Sequence, residues 1–454
     1  MRTAVGKVAT LGRAAVSLAG LERRARGSRA ALLGHQHQRM RELVAFAAAR
    51  SPLYAELYGG SARAQRTPFA ELPTVGKPQL MAAFDDWVTD RALRREDALA
   101  HLAGLGSEDE LFRGRYRVLG TGGASGARGV FLYDRREWTV AVASTLRVTR
   151  MLGVRPGMRV GVVGASGPVH MTSRISMSID FGLYPSLRLG ASTPPDELVA
   201  ALNEFQPQWL QAYPSLARVL AHAQLRGELQ IHPKVVSTAA EVRTAETVAA
   251  IRSAWGVDPF DLYGMTEVGT FALECDRHEG MHIFEDLAMV ELLDADGQPV
   301  APGETAARFL LTNLSNRTQP LIRYEIEDML ATRAEPCACG RPFVLLESVR
   351  GRRDELLALP GPGGRPAEIH PIVLRGAIET EPAVEAFDVL QGDGGLVVRI
   401  VAPGATAEAE AALTDTLVAR LVAAGAHAPV VTLERVAAIE RTTGSEKQRL
   451  VRRA

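Results

Sequence analysis

Hydrophobic and polar positions follow different periods in successive stretches of the chain. The first 60 residues show a helical pattern that ends near SPLYAELY. From about residue 158, short apolar runs alternate with amphipathic helical segments, which is typical of βαβ units and a mostly parallel sheet. The predicted strands are Arg159–Val163, Gln208–Ala212, Val235–Ser237 and Phe260–Tyr263, and the predicted helices are Asp196–Phe205, Ser215–Leu225 and Ala245–Trp255.

Beyond about residue 285 the pattern becomes mainly that of β-strands, and it then changes again after a Gly/Pro-rich stretch, LPGPGGRPAE. The strands predicted before and after this stretch, together with one helix, are Met289–Leu293, Arg308–Leu314, Leu396–Val401, Ala407–Ala424 (helix) and Val430–Leu433. The pattern predicts an α/β fold class. A large N-terminal domain of mixed, mostly parallel sheets flanked by helices, with a β subdomain, spans 1–350. A hinge or linker spans 351–365, and a small α+β domain spans 366–454.

Composition excludes several classes of protein. The 454 residues are 46% hydrophobic and carry 52 basic and 52 acidic side chains. This balance argues against a disordered chain and against a dedicated nucleic-acid binder. Apolar runs are too short for a membrane span, and the N-terminus lacks the features of a signal peptide. Three cysteines are too few for a disulfide framework, so we predict a cytoplasmic protein.

A glycine-rich segment, GTGGASGARG at Gly120–Gly129, lies between two apolar runs. Glycine allows backbone N–H groups to converge on phosphate oxygens, and Thr121 and Ser125 add hydroxyl donors. The segment lacks the ending of a P-loop, and a flexible hairpin connection remains an alternative.

Two further motifs follow predicted strands. In DLYGMTE, Tyr263 offers a face for stacking on a base, Gly264 permits a tight turn, and Thr266 is a hydroxyl donor. Glu267 is a hard oxygen ligand suited to Mg²⁺. In IRYEIEDM, Asp328 has a carboxylate that can accept both hydroxyls of a ribose. An ordinary surface turn is the alternative for DLYGMTE, and an aspartate at a strand end that caps its own turn is the alternative for IRYEIEDM.

Lysine is scarce, since only Lys7, Lys77, Lys234 and Lys447 occur and every other basic residue is arginine. Lys447 lies in the polar C-terminal segment TTGSEKQRLV, where it is suited to reach the site of another domain. A compact ammonium and a planar guanidinium are not interchangeable, which draws attention to this position.

Together these segments resemble the adenylate-forming enzymes, which include the acyl-CoA synthetases and adenylation domains, and the closest branch resembles the phenylacetate–CoA ligases. TGGASGARG resembles the phosphate loop, DLYGMTE the Tyr-Gly-x-Thr-Glu motif and IRYEIED the Arg-Tyr…Asp motif. GRRDELL resembles the hinge motif and TGSEKQRLV the C-terminal lysine loop, while CACGR and ECDRHEGMHIFED resemble the branch. The phosphate loop departs from the family at Gly122, Ala124 and Arg128, and the lysine loop at Glu446.

The resemblance implies ATP, Mg²⁺ and coenzyme A as cofactors and a mobile C-terminal domain. It implies that Lys447 bridges the carboxylate and the α-phosphate, that Thr266 contacts the α-phosphate and that Glu267 binds Mg²⁺. The remaining nucleotide residues it implies are Thr121, Gly123, Ser125 and Gly126 at the phosphates, Ala240, Glu241, Tyr263 and Gly264 at the adenine, Asp328 with Arg323 and Tyr324 at the ribose, and Arg352 and Asp354 at the hinge. The expected acid pocket is lined by His170, Met171, Tyr213 and Ser237.

The three cysteines form one further constellation. Cys275 begins C-x-x-H with His278, and His282 follows four residues later, while Cys337 and Cys339 form C-x-C. Three thiolates and one imidazole make a tetrahedral Zn²⁺ set, in which the two histidines compete for the fourth position. Three buried cysteines without metal are the alternative.

The sequence therefore supports an ATP-dependent carboxylic acid–CoA ligase acting on an aromatic or modest-sized acid. Two alternatives stay open. One is adenylation followed by transfer to a carrier-protein thiol or an amine, and the other is a degenerate nucleotide-binding protein without turnover. A small-molecule acid is the expected partner, possible further partners are an acyl carrier protein and a second copy in a homodimer, and neither nucleic acid nor membrane is expected.

Overall fold

The computed structural model describes residues 2–107, 109–121, 129–165, 167–179, 183–392, 395–441 and 449–453. Its helices are α1 (Arg2–Ala25), α2 (Arg29–Arg50), α3 (Pro52–Leu57), α4 (Ser61–Arg66), α5 (Lys77–Ala82), α6 (Phe84–Trp87), α7 (Arg95–Ala103), α8 (Arg135–Met151), α9 (Met171–Ile179), α10 (Pro195–Phe205), α11 (Pro214–Leu225), α12 (Ala245–Trp255), α13 (Pro371–Ile378) and α14 (Ala407–Ala423).

The strands are β1 (Val75–Gly76), β2 (Arg117–Thr121), β3 (Gly129–Tyr133), β4 (Val160–Gly164), β5 (Ser186–Gly190), β6 (Trp209–Ala212), β7 (Val235–Ala239), β8 (Phe260–Met265), β9 (Gly269–Glu274), β10 (Met281–Ile283), β11 (Ala288–Leu293), β12 (Arg308–Asn313), β13 (Tyr324–Ile326), β14 (Asp328–Thr332), β15 (Leu345–Arg352), β16 (Leu357–Pro360), β17 (Pro366–Ile369), β18 (Ala386–Gly392), β19 (Gly395–Val401), β20 (Val431–Arg435) and β21 (Val451–Arg453).

A nine-stranded sheet forms the centre of the molecule, with the order β14-β15-β10-β9-β8-β7-β6-β4-β5. Strands β5, β4, β6, β7 and β8 pair in parallel, and β9, β10, β15 and β14 continue the sheet in antiparallel pairs. The parallel strands read as apolar runs because helices cover the sheet. The predicted α/β class is confirmed, and the predicted strands and helices of this region match the observed ones to within a few residues.

The N-terminal helices pack on this sheet layer. Helix α1 buries Ala14, Leu18 and Leu21 and lies along α8. Asp286, between β10 and β11, ties both helices to the sheets, because its carboxylate accepts from Arg147 on α8 at 3.1 Å and from Arg24 on α1 at 3.3 Å. A second sheet has the order β1-β13-β12-β11, and residues of β11 and β12 share a hydrophobic core with β9, β10, β14 and β15 of the first sheet. In the described part of the chain, no helix combines the length and apolarity that a membrane crossing requires.

The described residues between 357 and 451, called here the C-terminal unit, have a hydrophobic core of their own. Helices α13 and α14 pack on the sheet β20-β19-β18-β21, and Leu413, Leu417 and Leu421 line the buried face of α14. The Gly/Pro-rich stretch, part of the segment predicted as a hinge or linker over 351–365, forms the hairpin of β16 and β17. Leu357 and Leu359 both point into the core of the unit, as alternate residues of a strand do. The alternation is too short to be recognised in the sequence beside the prolines and glycines of the turn.

Candidate active site

A cavity of about 1660 Å³ lies at the carboxyl ends of the parallel strands and is lined both by the large sheet and by the C-terminal unit. Ligands of open α/β sheets collect at this edge, because the loops that follow the strands converge there. Most of the predicted nucleotide and acid residues that the structure describes line the cavity. Gly123, Ser125, Gly126 and Lys447 lie outside the described residues, and Arg323 and Ser237 point elsewhere.

The wall of the cavity is built around strand β8 and the turn that follows it. The phenol of Tyr263 donates a hydrogen bond to the carboxylate of Asp328 on β14. Burial, and then the charge of Asp328, raises the pKa of Tyr263 above its usual value, so the phenol keeps its proton. The ring of Tyr263 lies edge-on to Phe271, with centroids 5.3 Å apart. A flat ring and a carboxylate are thereby fixed side by side on the cavity wall.

Thr266 and Glu267 occupy the turn between β8 and β9, and both line the cavity. The hydroxyl of Tyr133 donates to the backbone oxygen of Thr266 at 2.6 Å, and the Asn313 amide donates to that of Glu267 at 2.7 Å. These bonds hold the turn in place. Gly264, predicted to form the turn, lies within β8 at a register shift instead, and the positive φ of 86° occurs at Gly269.

A lysine that the sequence analysis did not assign to the site also lines the cavity. The ammonium of Lys77, at the start of α5, donates to the hydroxyl of Thr121 at 2.9 Å. Burial lowers the pKa of Lys77, and the nearby carboxylate of Glu267 opposes this shift. A Cβ on Gly129 would come within 2.8 Å of the Lys77 side chain, so glycine is required where this pair crosses β3. The scarcity of lysine in the sequence is the signal that could have identified Lys77 as a site residue.

The loop after β7 carries Ala240 and Glu241 at the cavity wall. Ala240 has a φ of 74°, a conformation that alanine rarely adopts and that clusters at functional sites. The Glu241 carboxylate accepts from the backbone N–H of Ser215 at 3.2 Å. It also pairs with two arginines of the C-terminal unit, Arg441 at 3.5 Å and Arg375 at 4.0 Å. The predicted adenine loop is therefore also a contact between the two parts of the molecule.

The predicted acid-pocket residues separate into two groups. His170, Met171 and Tyr213 line the cavity, and the Tyr213 hydroxyl accepts from the backbone N–H of Ala165 at 3.0 Å. The placement of Ser237 is wrong: its side chain is fully buried, and its hydroxyl accepts from the Trp209 indole at 2.9 Å. Ser237 lies within β7, two residues before its last residue. An apolar run in the sequence does not show on which face of the sheet a given side chain lies.

The placement of Arg323 beside the ribose is also wrong. Its guanidinium bonds the Glu291 carboxylate at 3.1 Å and the backbone oxygens of Ala70 and Leu72, away from the cavity. Tyr324, the next residue, does line the cavity, and its hydroxyl lies 3.5 Å from Glu267.

The hinge motif and the flanks of the lysine loop meet at the same cavity. Arg352 donates to Asp354 at 3.0 Å, and Arg449 lies 3.9 Å from the same carboxylate. Arg441 and Arg449 flank the segment that contains Lys447, and both line the cavity.

A cluster of three thiols and one imidazole lies beside the large sheet. The ligand atoms of Cys275, His282, Cys337 and Cys339 all lie within 4.8 Å of one another. His282 Nε2 is 3.3 Å from Cys339 Sγ, and the buried Nδ1 has no hydrogen-bond partner. Burial, and then Arg341, lowers the pKa of His282 to about 4, so the ring is neutral at pH 7.

His278 does not join this cluster. It contacts Glu274 at 3.4 Å and packs at a tilt against the Phe260 ring, so His282 is the histidine that the structure brings to the cysteines. The donor set fits a tetrahedral Zn²⁺, whose ligands lie 2.0–2.3 Å from the metal.

Comparison with known proteins agrees with these features. The chain is 26% identical over 278 residues to a phenylacetate–coenzyme A ligase from Thermus thermophilus, with 57% of this chain and 59% of that protein covered. It is 27% identical over 268 residues to a phenylacetate–coenzyme A ligase from Pseudomonas putida, with 56% and 58% covered. The matches thus span less than two thirds of the length of these relatives. No family model matches the chain.

Two solved structures share the fold. A 2-hydroxyisobutyryl-CoA ligase in the postadenylation state, with a bound acyl-AMP, superposes with a TM-score of 0.73 at 20% identity and covers 95% of this chain and 92% of that one. An anthranilate CoA ligase with bound anthranoyl-AMP gives a TM-score of 0.52 at 16% identity, covering 72% and 64%. The chain therefore has the fold of the adenylate-forming ligases and is similar in sequence to the phenylacetate–CoA ligases, as its motifs predict.

Proposed function

We propose that this chain uses ATP to convert a carboxylic acid into an acyl adenylate and then passes the acyl group to the thiol of coenzyme A. The observation that carries the proposal is the Tyr263–Asp328 contact beside Thr266 and Glu267 on one cavity wall. A nucleoside held by Tyr263 and Asp328 would have its α-phosphate directed towards Thr266 and Glu267.

The chemistry explains what these groups have to do. A carboxylate oxygen attacks the α-phosphorus, the bond to the β-phosphate breaks, and pyrophosphate leaves. In the second step the thiol sulfur attacks the acyl carbon, and AMP leaves with the bonding electron pair. Positioning and charge stabilisation supply most of the catalysis in such transfers. Tyr263 and Asp328 position the nucleoside, Thr266 donates to the α-phosphate, and the Lys77–Thr121 pair binds the outer phosphates.

Glu267 is the residue proposed to hold Mg²⁺, because its carboxylate lines the cavity near Lys77 and Tyr324. Carboxylate oxygens are the ligands that Mg²⁺ prefers. When bound, the ion supplies positive charge next to the phosphates.

A structural Zn²⁺ is proposed at Cys275, His282, Cys337 and Cys339, on the strength of the donor set and the orphaned Nδ1 of His282. The cluster joins β10 to the segment before β15, so the metal would stabilise the antiparallel half of the large sheet.

The domain organisation is proposed in the same way. We take residues 1–350 as the adenylation domain, a hinge at Arg352 and Asp354, and the C-terminal part as a mobile domain that brings Lys447 to the α-phosphate. The separate core of the C-terminal unit supports this division. A homodimer, a cytoplasmic location and a carrier protein as alternative acceptor stay predictions.

The test is ATP–pyrophosphate exchange with a panel of carboxylic acids, followed by thioester formation after addition of coenzyme A. We expect acid-dependent exchange and an acyl-CoA product. Exchange without a thioester would favour a carrier-protein thiol or an amine as acceptor. Absence of exchange with every acid would contradict the proposal and leave a nucleotide-binding protein without turnover.

A further inference from the structure

The loop between β7 and α12 has a backbone conformation that needs support. Residues 240–244 form this loop, and Ala240 has a φ of 74°. A left-handed conformation is unfavourable for a residue other than glycine, because its Cβ approaches the following carbonyl oxygen. Such a conformation persists only where neighbouring contacts hold it. The contacts on the two sides of Ala240 therefore decide the shape of the predicted adenine loop.

On one side of Ala240, Arg243 attaches the loop to the large sheet. Its guanidinium donates to the Glu274 carboxylate at 2.5 and 3.1 Å and to the backbone oxygen of Pro259 at 2.7 Å. The side chains of Arg243 and Glu274 are 14% and 6% exposed. A planar guanidinium with two bonds to a carboxylate fixes direction as well as distance. These contacts, called here the Arg243 anchor, therefore hold the loop in one position.

The same anchor reaches the strand that carries Tyr263. The Glu274 carboxylate accepts from the backbone N–H of Asp261 on β8 at 2.8 Å, and the Nε of Arg243 lies 3.7 Å from the Asp261 carboxylate. Asp261 precedes Tyr263 by two residues. The Arg243 anchor thus fixes the loop of Ala240 relative to Tyr263, and both of these residues line the cavity.

On the other side of Ala240, the support comes partly from the C-terminal unit. Glu241 pairs with Arg375 and Arg441 of that unit. Under the proposed function this unit moves, so these two pairs do not last through the whole reaction. All members of the Arg243 anchor belong to the large domain, and the anchor therefore remains when the C-terminal unit moves away.

Resting on the proposed function, we infer that Arg243 is a positioning residue for the adenine of ATP, because it holds Ala240 in the left-handed conformation. Without the Arg243 anchor, Ala240 relaxes to an ordinary conformation. The nucleotide then has to restore the loop when it binds, which lowers its apparent affinity by the fraction of molecules in the competent state. Glycine at position 240 removes this cost, because glycine adopts positive φ values readily.

The experiment measures the KM values for ATP and pyrophosphate in ATP–pyrophosphate exchange for Arg243→Met, Ala240→Gly and the double variant. We expect Arg243→Met to raise KM for ATP about 5- to 30-fold, the factor that corresponds to the cost of a left-handed alanine. The KM for pyrophosphate and kcat should stay unchanged, because the loop contacts only the nucleoside. Ala240→Gly alone should change KM for ATP less than about twofold, and in the double variant it should restore most of the lost affinity.

Two further variants complete the set. Arg252→Met is the matched control, because Arg252 is an exposed arginine on α12 that pairs with Asp258 outside the cavity, and its kinetics should match those of the wild type. Arg243→Lys keeps a positive charge beside Glu274 but loses the planar fork, so it replaces Arg243→Met if that variant does not fold. KM for ATP should rise in Arg243→Lys too, and Ala240→Gly should again lower it.

An unchanged KM for ATP in Arg243→Met, a rise that Ala240→Gly does not reverse, or an equal rise in KM for pyrophosphate would overturn the inference. Calorimetric binding of ATP separates this failure from failure of the proposed function. If ATP binds and no acid supports exchange, the proposed function is wrong, and the ATP affinities of the same variants decide the inference by the same ratios. If the wild type does not bind ATP, both fall.

Discussion

At the scale of single residues, the most informative group is Lys77. The glycine-rich loop has Arg128 near the position where the family that it resembles usually has a lysine. The fold brings Lys77 to Thr121 across 44 residues, with the ammonium on the cavity wall. Under the proposed function Thr121 binds phosphate, and the Lys77 ammonium beside it would add charge-assisted hydrogen bonds, which are stronger than neutral ones. Lys77 would then supply a donor to a loop whose sequence has no hydroxyl at Gly122 and Ala124.

Replacing Lys77 with methionine keeps the length of the side chain and removes its charge. We expect kcat/KM for ATP in the exchange reaction to fall about 10- to 100-fold, mainly through KM, because a charge-assisted hydrogen bond is lost. Lys234→Met is the matched control, since Lys234 is exposed and lies outside the cavity, and its kinetics should not change. Equal effects of the two variants would show that Lys77 does not contact ATP.

At the scale of elements, the strands and helices that carry the site were predictable, and the facing of individual side chains was not. Phe260–Met265 and the turn after it follow from an apolar run that ends in polar residues. Parallel strands buried on both faces have no alternation, however, so nothing in the pattern shows that Ser237 points at Trp209. Arg323 was misplaced for another reason, because its partners Glu291, Ala70 and Leu72 belong to segments distant in sequence.

The cysteine cluster also shows what strand pairing adds to the sequence. Sequence spacing left His278 and His282 as equal candidates for the fourth ligand, and the pairing of β9 with β10 separates them. In register, His282 lies opposite Leu273, with its ring towards the thiols, whereas His278 lies in the connecting turn against Glu274. Only the pairing of the strands decides between them.

His282→Gln and His278→Gln form a matched pair of variants that tests the metal site. Elemental analysis of untagged wild-type protein should give about one zinc per chain, which is the content of a single four-ligand site. His282→Gln should lose most of the metal and melt roughly 5 °C or more below the wild type. His278→Gln should retain the metal. Metal-free wild-type protein that is fully folded would refute the site.

At the scale of the whole molecule, the C-terminal unit is held over the cavity by ion pairs that differ in their exposure to solvent. Glu241 pairs with Arg375 and Arg441, and its side chain is 2% exposed. Glu246 pairs with Arg420 at 2.7 Å, where the two side chains are 22% and 41% exposed. A buried ion pair leaves an uncompensated charge when one partner is removed, whereas an exposed pair contributes little.

The variants Glu241→Gln and Glu246→Gln compare the contributions of the buried and the exposed ion pairs to stability. We expect Glu241→Gln to lower the free energy of unfolding by about 3 kcal/mol, because Arg441 loses its buried partner and Arg375 is left with Glu379. Glu246→Gln should cost about 0.2–1 kcal/mol, as measured for exposed pairs. Thermal unfolding followed by circular dichroism compares the variants under one set of conditions. A larger loss in Glu246→Gln would mean that the Glu241 contacts do not hold the unit in place.

The proposed movement of the C-terminal domain makes a prediction that separates the two half-reactions. If Lys447 enters the site for adenylation and leaves it for thioester formation, Lys447→Ala should abolish ATP–pyrophosphate exchange, because the positive charge at the α-phosphate is lost. The same variant should convert a supplied acyl adenylate and coenzyme A into the thioester at nearly the wild-type rate. Lys234→Ala, with a change of equal size at an exposed position, should leave both rates unaltered. Equal loss of both half-reactions in Lys447→Ala would contradict the movement, since a lysine needed only for adenylation has no role when the adenylate is already formed.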